Sequence, residues 1–199
     1  MYGHPKTLLD ETEARAALDA FNRTALLVTP DLAATHLPFI VDGDRLIGHV
    51  ARANAHWASA PCDALVVMAG AEAYVSPNWY PSKRDAGRAV PTWNYETVHV
   101  RGRLTTFDDT TRLEDLVARL SVRHEAGQEK PWTIAEAPRD YIDALLRGIV
   151  GVEIAIESIE AKRKLSQDRP APDHAGVIAG LDASDDSHDR AVAKAMRES

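Results

Sequence analysis

Only one cysteine, Cys62, stands among 199 residues. A single chain can therefore form neither an internal disulfide nor a thiolate cluster, and the sequence fits a reducing cytoplasm. Beside Pro61 that thiol reads as a small buried hydrophobe. No run of about eighteen apolar residues occurs, which leaves no membrane span. The opening stretch MYGHPKTLLDETEA has no basic-then-apolar leader. Positive charge is scarce: 23 Lys and Arg stand against 30 Asp and Glu, for a formal net charge of −7. Direct binding to DNA usually needs a basic face, because phosphate neutralisation supplies most of the affinity, so this chain is a poor candidate for it. The patterns GxGxxG, GxxxxGK[ST] and GxSxG are missing, and with them the usual dinucleotide, P-loop and hydrolase-elbow readings. His36, His49, His56, His99 and His124 follow no recognised ligand spacing, so no metal site is expected. The sequence names no catalytic acid or base.

Aromatic residues are few but concentrated. The segment Tyr74–Tyr95, YVSPNWYPSKRDAGRAVPTWNY, holds five of them, together with Pro77, Pro81 and Pro91 and the basic residues Lys83, Arg84 and Arg88. Three prolines break any backbone ladder, so most of this segment is neither a central strand nor one long helix. A covered Trp or Tyr buries about 150–250 Å². The rings of Trp79, Tyr80, Trp93 and Tyr95 therefore call for a cover: the core, a flat ligand or a second subunit.

Elsewhere the patterning predicts regular elements. Asp10 and Glu13 open a helix over 11–22, with Ala14, Ala17, Leu18 and Phe21 on one face. Strands are expected at 25–29, at 33–41 with Pro38 marking an edge or bulge, and at 45–50 after an Asp42-Gly43 hairpin turn. ARANAHWA (51–58) favours a short helix. Strands at 63–70 and 72–76 are expected to meet at a turn on Gly70. Over 94–107, Val98, Val100 and Leu104 share one face, with Thr97, His99, Arg101 and Arg103 on the other. Thr111 and Glu114 form a capping box ahead of a helix carrying Leu113, Leu116, Val117 and Leu120. Pro138 opens a helix that stops at Gly148, and 149–162 is a long strand. Beyond Ser166 the sequence is rich in Pro, Asp and Ser, with a terminal helix near 187–197. Hairpin-linked strands with helices beside them give a mainly β or α+β fold, an antiparallel sheet closing into a small barrel.

Two segments could carry chemistry. In HVARANAHW (49–57), a helix starting near Ala51 would aim free N–H groups and its positive dipole end, with Arg52 and Asn54, at a phosphate. An ordinary strand-to-helix connection with a solvated Arg and a capping Asn explains the same residues. In ATHLP (34–38), a strand interrupted by proline could meet the edge of a heterocycle through its backbone. It could equally be an edge strand guarded against aggregation. Lys83 could pair with an anion or be simply solvated. Trp79 and Trp93 could stack on a planar ring or anchor a dimer interface.

Together these segments carry a resemblance. TALLVT, ATHLP, GHVARANAHW, AYVSPNWY-x-x-K, VPTWNYETVHVRG, IVGVEI and AKRKLSQ occur in the order seen in the PaiB-type family of FMN-binding negative transcriptional regulators. The resemblance runs from Met1-Tyr2 to about Leu181, leaving 182–199 as a polar tail of helical character beside a domain of 1–181. It implies an antiparallel split β-barrel of the pyridoxamine-phosphate-oxidase-like kind with peripheral helices, forming a homodimer with FMN in the cleft between subunits. On that resemblance Thr35, His36, Leu37 and Pro38 lie along the isoalloxazine, and His49, Ala51, Arg52 and Asn54 hold the phosphate. Trp79, Lys83 and Trp93 close the site. The chain departs from the family at Ala55, where proline is common, and at Asp168, where asparagine is expected after SQ. Three functions follow as expectations: a flavin-binding repressor, a flavin-dependent oxidoreductase acting on a small planar substrate, or a dimeric binding protein with a vestigial pocket.

Overall fold

The computed structural model describes residues 1–83, 87 and 89–198. Arg84 and Arg88 of the aromatic segment lie outside them. The chain divides into two compact units: Met1–Ala17, Ala69–Val98 and Glu160–Ser199 form the first, Leu18–Met68 and His99–Ile159 the second. Helix α1 (Glu11–Ala20) opens as expected: Asp10 Oδ1 accepts from the Glu13 N–H at 2.8 Å, and Glu13 Oε2 accepts from the Asp10 N–H at 3.0 Å. Seven strands follow: β1 (Thr24–Val28), β2 (Ala34–Pro38), β3 (Ile40–Asp42), β4 (Arg45–Ala51), β5 (Cys62–Val75), β6 (Thr92–Phe107) and β7 (Ile149–Lys164). They are ordered β2-β1-β5-β6-β7-β4-β3.

The strand expected over 33–41 is two strands. Pro38 has no N–H with which to continue a ladder, and the chain changes partners just after it. β2 pairs with β1 (Thr24 opposite Pro38), whereas β3 pairs with β4 (Ile40 opposite Ile47). Both halves are edges, at opposite ends of the strand order. In the second unit the sheet curls until β2 meets β4. A methyl group on Gly48 of β4 would lie 2.9 Å from Leu37 Cδ1 and 2.9 Å from the Pro38 carbonyl oxygen. Only glycine admits that crossing. The β3–β4 hairpin turns at Gly43, whose φ of +55° is in the left-handed region.

Two helices cover part of this unit. α2 (Thr110–Glu125) buries Leu113, Leu116 and Leu120, and α3 (Arg139–Arg147) buries Ile142 and Leu146. The cap of α2 is Asp109, which accepts from the Arg112 N–H at 2.8 Å, and not the predicted Thr111. Val98, Val100 and Leu104 are buried along β6, as their alternation predicts.

In the first unit the predicted turn at Gly70 is absent, and β5 runs straight through it. The glycine serves a close approach instead: a Cβ there would sit 2.9 Å from that of Glu96. α4 (Ala171–Asp182) and α5 (Ser187–Arg197) pack on a cluster containing Val75, Tyr80, Leu165 and Val177. Within 182–199, Val192, Ala193 and Met196 are buried to 1% exposure or less.

Candidate functional site

The loop joining β1 to β2 is built around Asp31. Its Oδ1 accepts from the Thr29 hydroxyl at 2.5 Å and from the Ala33 N–H at 3.3 Å, and its Oδ2 accepts from Ser59 at 2.8 Å. The Thr29 and Ser59 hydroxyls, with the Ala33 N–H, hold the Asp31 carboxyl down at about 2. Leu32 takes a φ of +65° to close the turn, and its N–H donates to the Thr29 carbonyl at 2.9 Å.

From Thr29 the network runs inward. His56 is buried between two hydroxyls: its Nε2 lies 2.7 Å from Thr29 Oγ1 and its Nδ1 lies 2.8 Å from Thr35 Oγ1. Asn54 Nδ2 donates to Thr35 Oγ1 at 3.1 Å, and Asn54 Oδ1 accepts from the His56 N–H at 3.1 Å. Thr35 and Asn54, predicted from separate motifs, are thus in direct contact. His56, Thr29 and Asp31 escaped the sequence reading. A buried histidine between threonines has no spacing signature, and the β1–β2 loop that carries Thr29 and Asp31 is remote in sequence from His56.

No helix starts at Ala51. That residue still belongs to β4, opposite Ile149, and the connection is a five-residue 3-10 turn, Ala55–Ser59, with Asn54 as its cap. So short a turn offers no dipole end for a phosphate. What the loop does offer is an oriented guanidinium. Arg52 Nε donates to the Arg147 carbonyl and its Nη2 to the Ile149 carbonyl, both at 3.0 Å. Two of five N–H donors are used, and the exposed remainder can bind an anion.

His49 alternates with Arg45, Ile47 and Ala51 on one face of β4. Ile47 on that face packs against Leu116 and Leu120 of α2. His49 Nδ1 is buried and has no hydrogen-bond partner among the described residues, and burial pushes the imidazole below its usual range. On β2, His36 is exposed, Leu37 is buried and pairs with Ala25 of β1, and Pro38 is half-buried. Having β1 on one side and being first in the strand order, β2 has no strand partner along its other backbone edge among the described residues.

Trp79, Lys83 and Trp93 belong to the first unit. The Trp79 ring rests on α4, where a Cβ on Gly180 would come within 2.4 Å of the indole. Lys83 Nζ donates to Asn78 Oδ1 at 2.5 Å. Trp93 is 54% exposed and meets Tyr74 edge-on at 6.0 Å between ring centroids. Lys164 Nζ binds the Trp93 carbonyl and donates to Thr92 Oγ1 at 2.7 Å, holding the segment that carries the exposed ring.

None of the predicted residues lines a cleft of the second unit about 600 Å³ in volume. There Arg45 and Arg112 converge on Glu153, Arg119 pairs with Asp42, and Arg112 stacks on Phe107. Thr29 lines a smaller cleft of about 350 Å³ with Val28, Leu65 and Arg101. Among the described residues no three His, Cys, Asp or Glu side chains gather to hold a metal ion. No helix among them is long and apolar enough to cross a membrane.

A family model described as "Putative FMN-binding domain" matches residues 1–158. The Bacillus subtilis protease synthase and sporulation protein PAI 2 is 32% identical over 171 residues, spanning 83% of this chain and 80% of its own. An uncharacterized protein of Aspergillus fumigatus is 29% identical over 217 residues, spanning 85% and 83%. A flavocytochrome of Azotobacter vinelandii superposes with a TM-score of 0.56 at 16% identity, covering 92% of this chain and 73% of that one. An FAD- and heme-binding protein of Mycobacterium smegmatis gives 0.55 at 15% identity, covering 83% and 77%. The fold is α+β, an antiparallel split β-barrel with peripheral helices.

Proposed function

Since the chain belongs to the PaiB-like family of FMN-binding domains, with FMN as its cofactor, we propose that it is a flavoprotein of the negative transcriptional regulator type, holding FMN in a cleft between two copies. In this reading the open edge of β2, at Thr35, His36, Leu37 and Pro38, faces the isoalloxazine. Arg52 and Asn54, with His49 and Ala51, receive the phosphate. Bound FMN would supply the hydride and electron chemistry, while the protein positions the ring and controls access to it.

One observation carries the reading: the Arg52 guanidinium is fixed by two backbone carbonyls with donors to spare. An anchored, exposed fork is what recognition of an anion requires. The unpartnered Nδ1 of His49 adds a second polar group whose partner a ligand could be. The donor set therefore fits a phosphorylated heterocycle. Trp93 keeps an exposed side toward a ligand held by the partner chain, while Lys83 and Trp79, whose ring rests on α4, are half-buried.

Support for the dimer comes from the sheet. Leu26 and Val28 of β1 and Leu65 and Val67 of β5 are only half-buried, although they alternate with fully buried residues. Apolar side chains in adjacent strands make a face that a second copy can cover. The acidic net charge favours repression through a partner over direct gripping of DNA.

The test begins with the absorption spectrum of freshly purified protein and a thermal-shift titration with FMN, alongside the mass in solution. A flavin spectrum, or a melting temperature that rises with FMN, in a dimer is the expected result. A colourless monomer indifferent to FMN would refute the reading. Band shifts at low salt then separate direct from indirect repression.

A further inference from the structure

We propose that Asp31, Thr29 and His56 are positioning residues that commit the Thr35 hydroxyl hydrogen to a hydrogen bond with His56 Nδ1, so that Thr35 Oγ1 faces the cofactor as a hydrogen-bond acceptor. The inference rests on the FMN reading above and specifies one contact within it.

Asp31, held ionised, only accepts, so the Thr29 proton is committed to Asp31 Oδ1 at 2.5 Å. Thr29 Oγ1 can then meet His56 Nε2 only as an acceptor, and at 2.7 Å that nitrogen must carry the proton. A neutral imidazole with Nε2–H has a bare Nδ1, which accepts the Thr35 hydroxyl proton at 2.8 Å.

The other end agrees. The Asn54 amide is oriented by the His56 N–H, which takes its oxygen and leaves Nδ2 to donate to Thr35 Oγ1 at 3.1 Å. Thr35 thus donates once and accepts once, and a single lone pair remains. Every hydrogen bond in the chain Asn54, Thr35, His56, Thr29, Asp31 points toward the carboxylate. Burial of Thr29 (3% exposed) and His56 (6%) keeps water from offering alternatives.

A half-buried threonine whose hydroxyl has only an acceptor to present selects a donor on its ligand. The ring system of oxidised FMN has one N–H, the imide, and we assign that group to Thr35. A ligand presenting a carbonyl oxygen at this point would leave two acceptors face to face. The network thereby ties the β1–β2 loop, remote in sequence from Asn54, to the choice of ligand.

The experiment uses the full chain with labelled histidine. Nitrogen NMR at neutral pH, with and without FMN, is expected to show His56 protonated at Nε2 and bare at Nδ1. A ring protonated at Nδ1, or at both nitrogens, in a protein that binds FMN overturns this proposal alone. The ligand half is read by a cycle of FMN and N3-methyl FMN against wild type and Thr35→Val. Methylation should weaken wild-type binding about fivefold to tenfold more than it weakens Thr35→Val, the worth of one ordinary hydrogen bond. An equal cost in both proteins overturns the assignment. Asp31→Ala frees the Thr29 proton and is expected to shift His56 toward the Nδ1–H tautomer, with FMN affinity falling by a similar factor. An unchanged tautomer and affinity in that variant would refute the relay. If the wild type shows the expected tautomer yet binds no FMN, the functional reading fails and the assignment falls with it.

Discussion

The Pro38 carbonyl oxygen crosses Gly48 so closely that a methyl group there would lie 2.9 Å from it. This crossing brings the first strand of the sheet order, β2, against β4, and it sets where the open edge of β2 lies. Leu37 Cδ1 can rotate out of the way of a new methyl group, but the Pro38 carbonyl is backbone and cannot. Gly48→Ala is expected to cost about 1–3 kcal/mol of stability through overpacking. FMN affinity should fall as well, because the edge moves. Thermal melts and a flavin titration check both, and a variant with wild-type melting and affinity would remove the crossing from the account of the site.

Arg52→Ala should separate two roles. The side chain ties the ends of α3 and β7 together through the Arg147 and Ile149 carbonyls, and it also presents the remaining donors. Since it is exposed, the structural loss should be modest, about 1 kcal/mol. Binding should suffer far more, because a fixed guanidinium on a phosphate is a charge-assisted contact, worth roughly 1.5–3 kcal/mol. Arg52→Lys keeps the charge but not the fork, so it should recover only part of the affinity. Equal FMN dissociation constants in wild type and Arg52→Ala would take the phosphate away from this turn.

How far the sequence could be read depended on whether the signal was local. Alternation in β6, the box at Asp10 and Glu13, and the Asp42-Gly43 turn act within a few residues, and all three were legible. Gly70 looked like a turn because glycine marks both turns and close approaches, and only the passage of Glu96 in the fold decides between them. The helix expected at Ala51 failed because pairing with Ile149 extends β4 one residue further than propensity implies. In the candidate site, Thr35, Arg52 and Asn54 could be singled out because short motifs carry them, and the fold brings Thr35 and Asn54 into contact. His56 was hidden, since its meaning lies in two threonines brought to it by the β1–β2 hairpin.

Gly176 and Gly180, one helical turn apart on α4, form the seat of Trp79. A Cβ on Gly180 would meet the indole at 2.4 Å, and one on Gly176 would meet the Trp79 carbonyl at 2.1 Å. Alanine is the better helix former by about 1 kcal/mol, so propensity alone would favour both substitutions. The clashes should win. Gly176→Ala is expected to be the worse of the two, because a carbonyl cannot rotate away as a ring can. Both should shift the tryptophan emission and lower the melting temperature. With the ring committed to α4, Gly180→Ala should leave the FMN dissociation constant unchanged, and a large change would bring Trp79 into the site.

His49 gives a pH test in which stability and binding move in opposite directions. Burial lowers its pKa from 6.5 in the fold. The unfolded chain therefore binds a proton that the fold refuses, so this contribution to stability is complete above 6.5 and is lost as pH falls toward the lowered value. A phosphate dianion arriving beside the imidazole favours its charged form and raises the pKa again. FMN binding should then take up protons, and affinity should strengthen as pH falls through the same window in which the free protein weakens. Calorimetry in two buffers of different ionisation enthalpy measures the uptake, and melts across that window measure the loss. His49→Gln should abolish most of the uptake while preserving binding through Arg52. If the variant takes up as many protons as wild type, His49 does not face the phosphate, and its unpartnered Nδ1 needs another explanation.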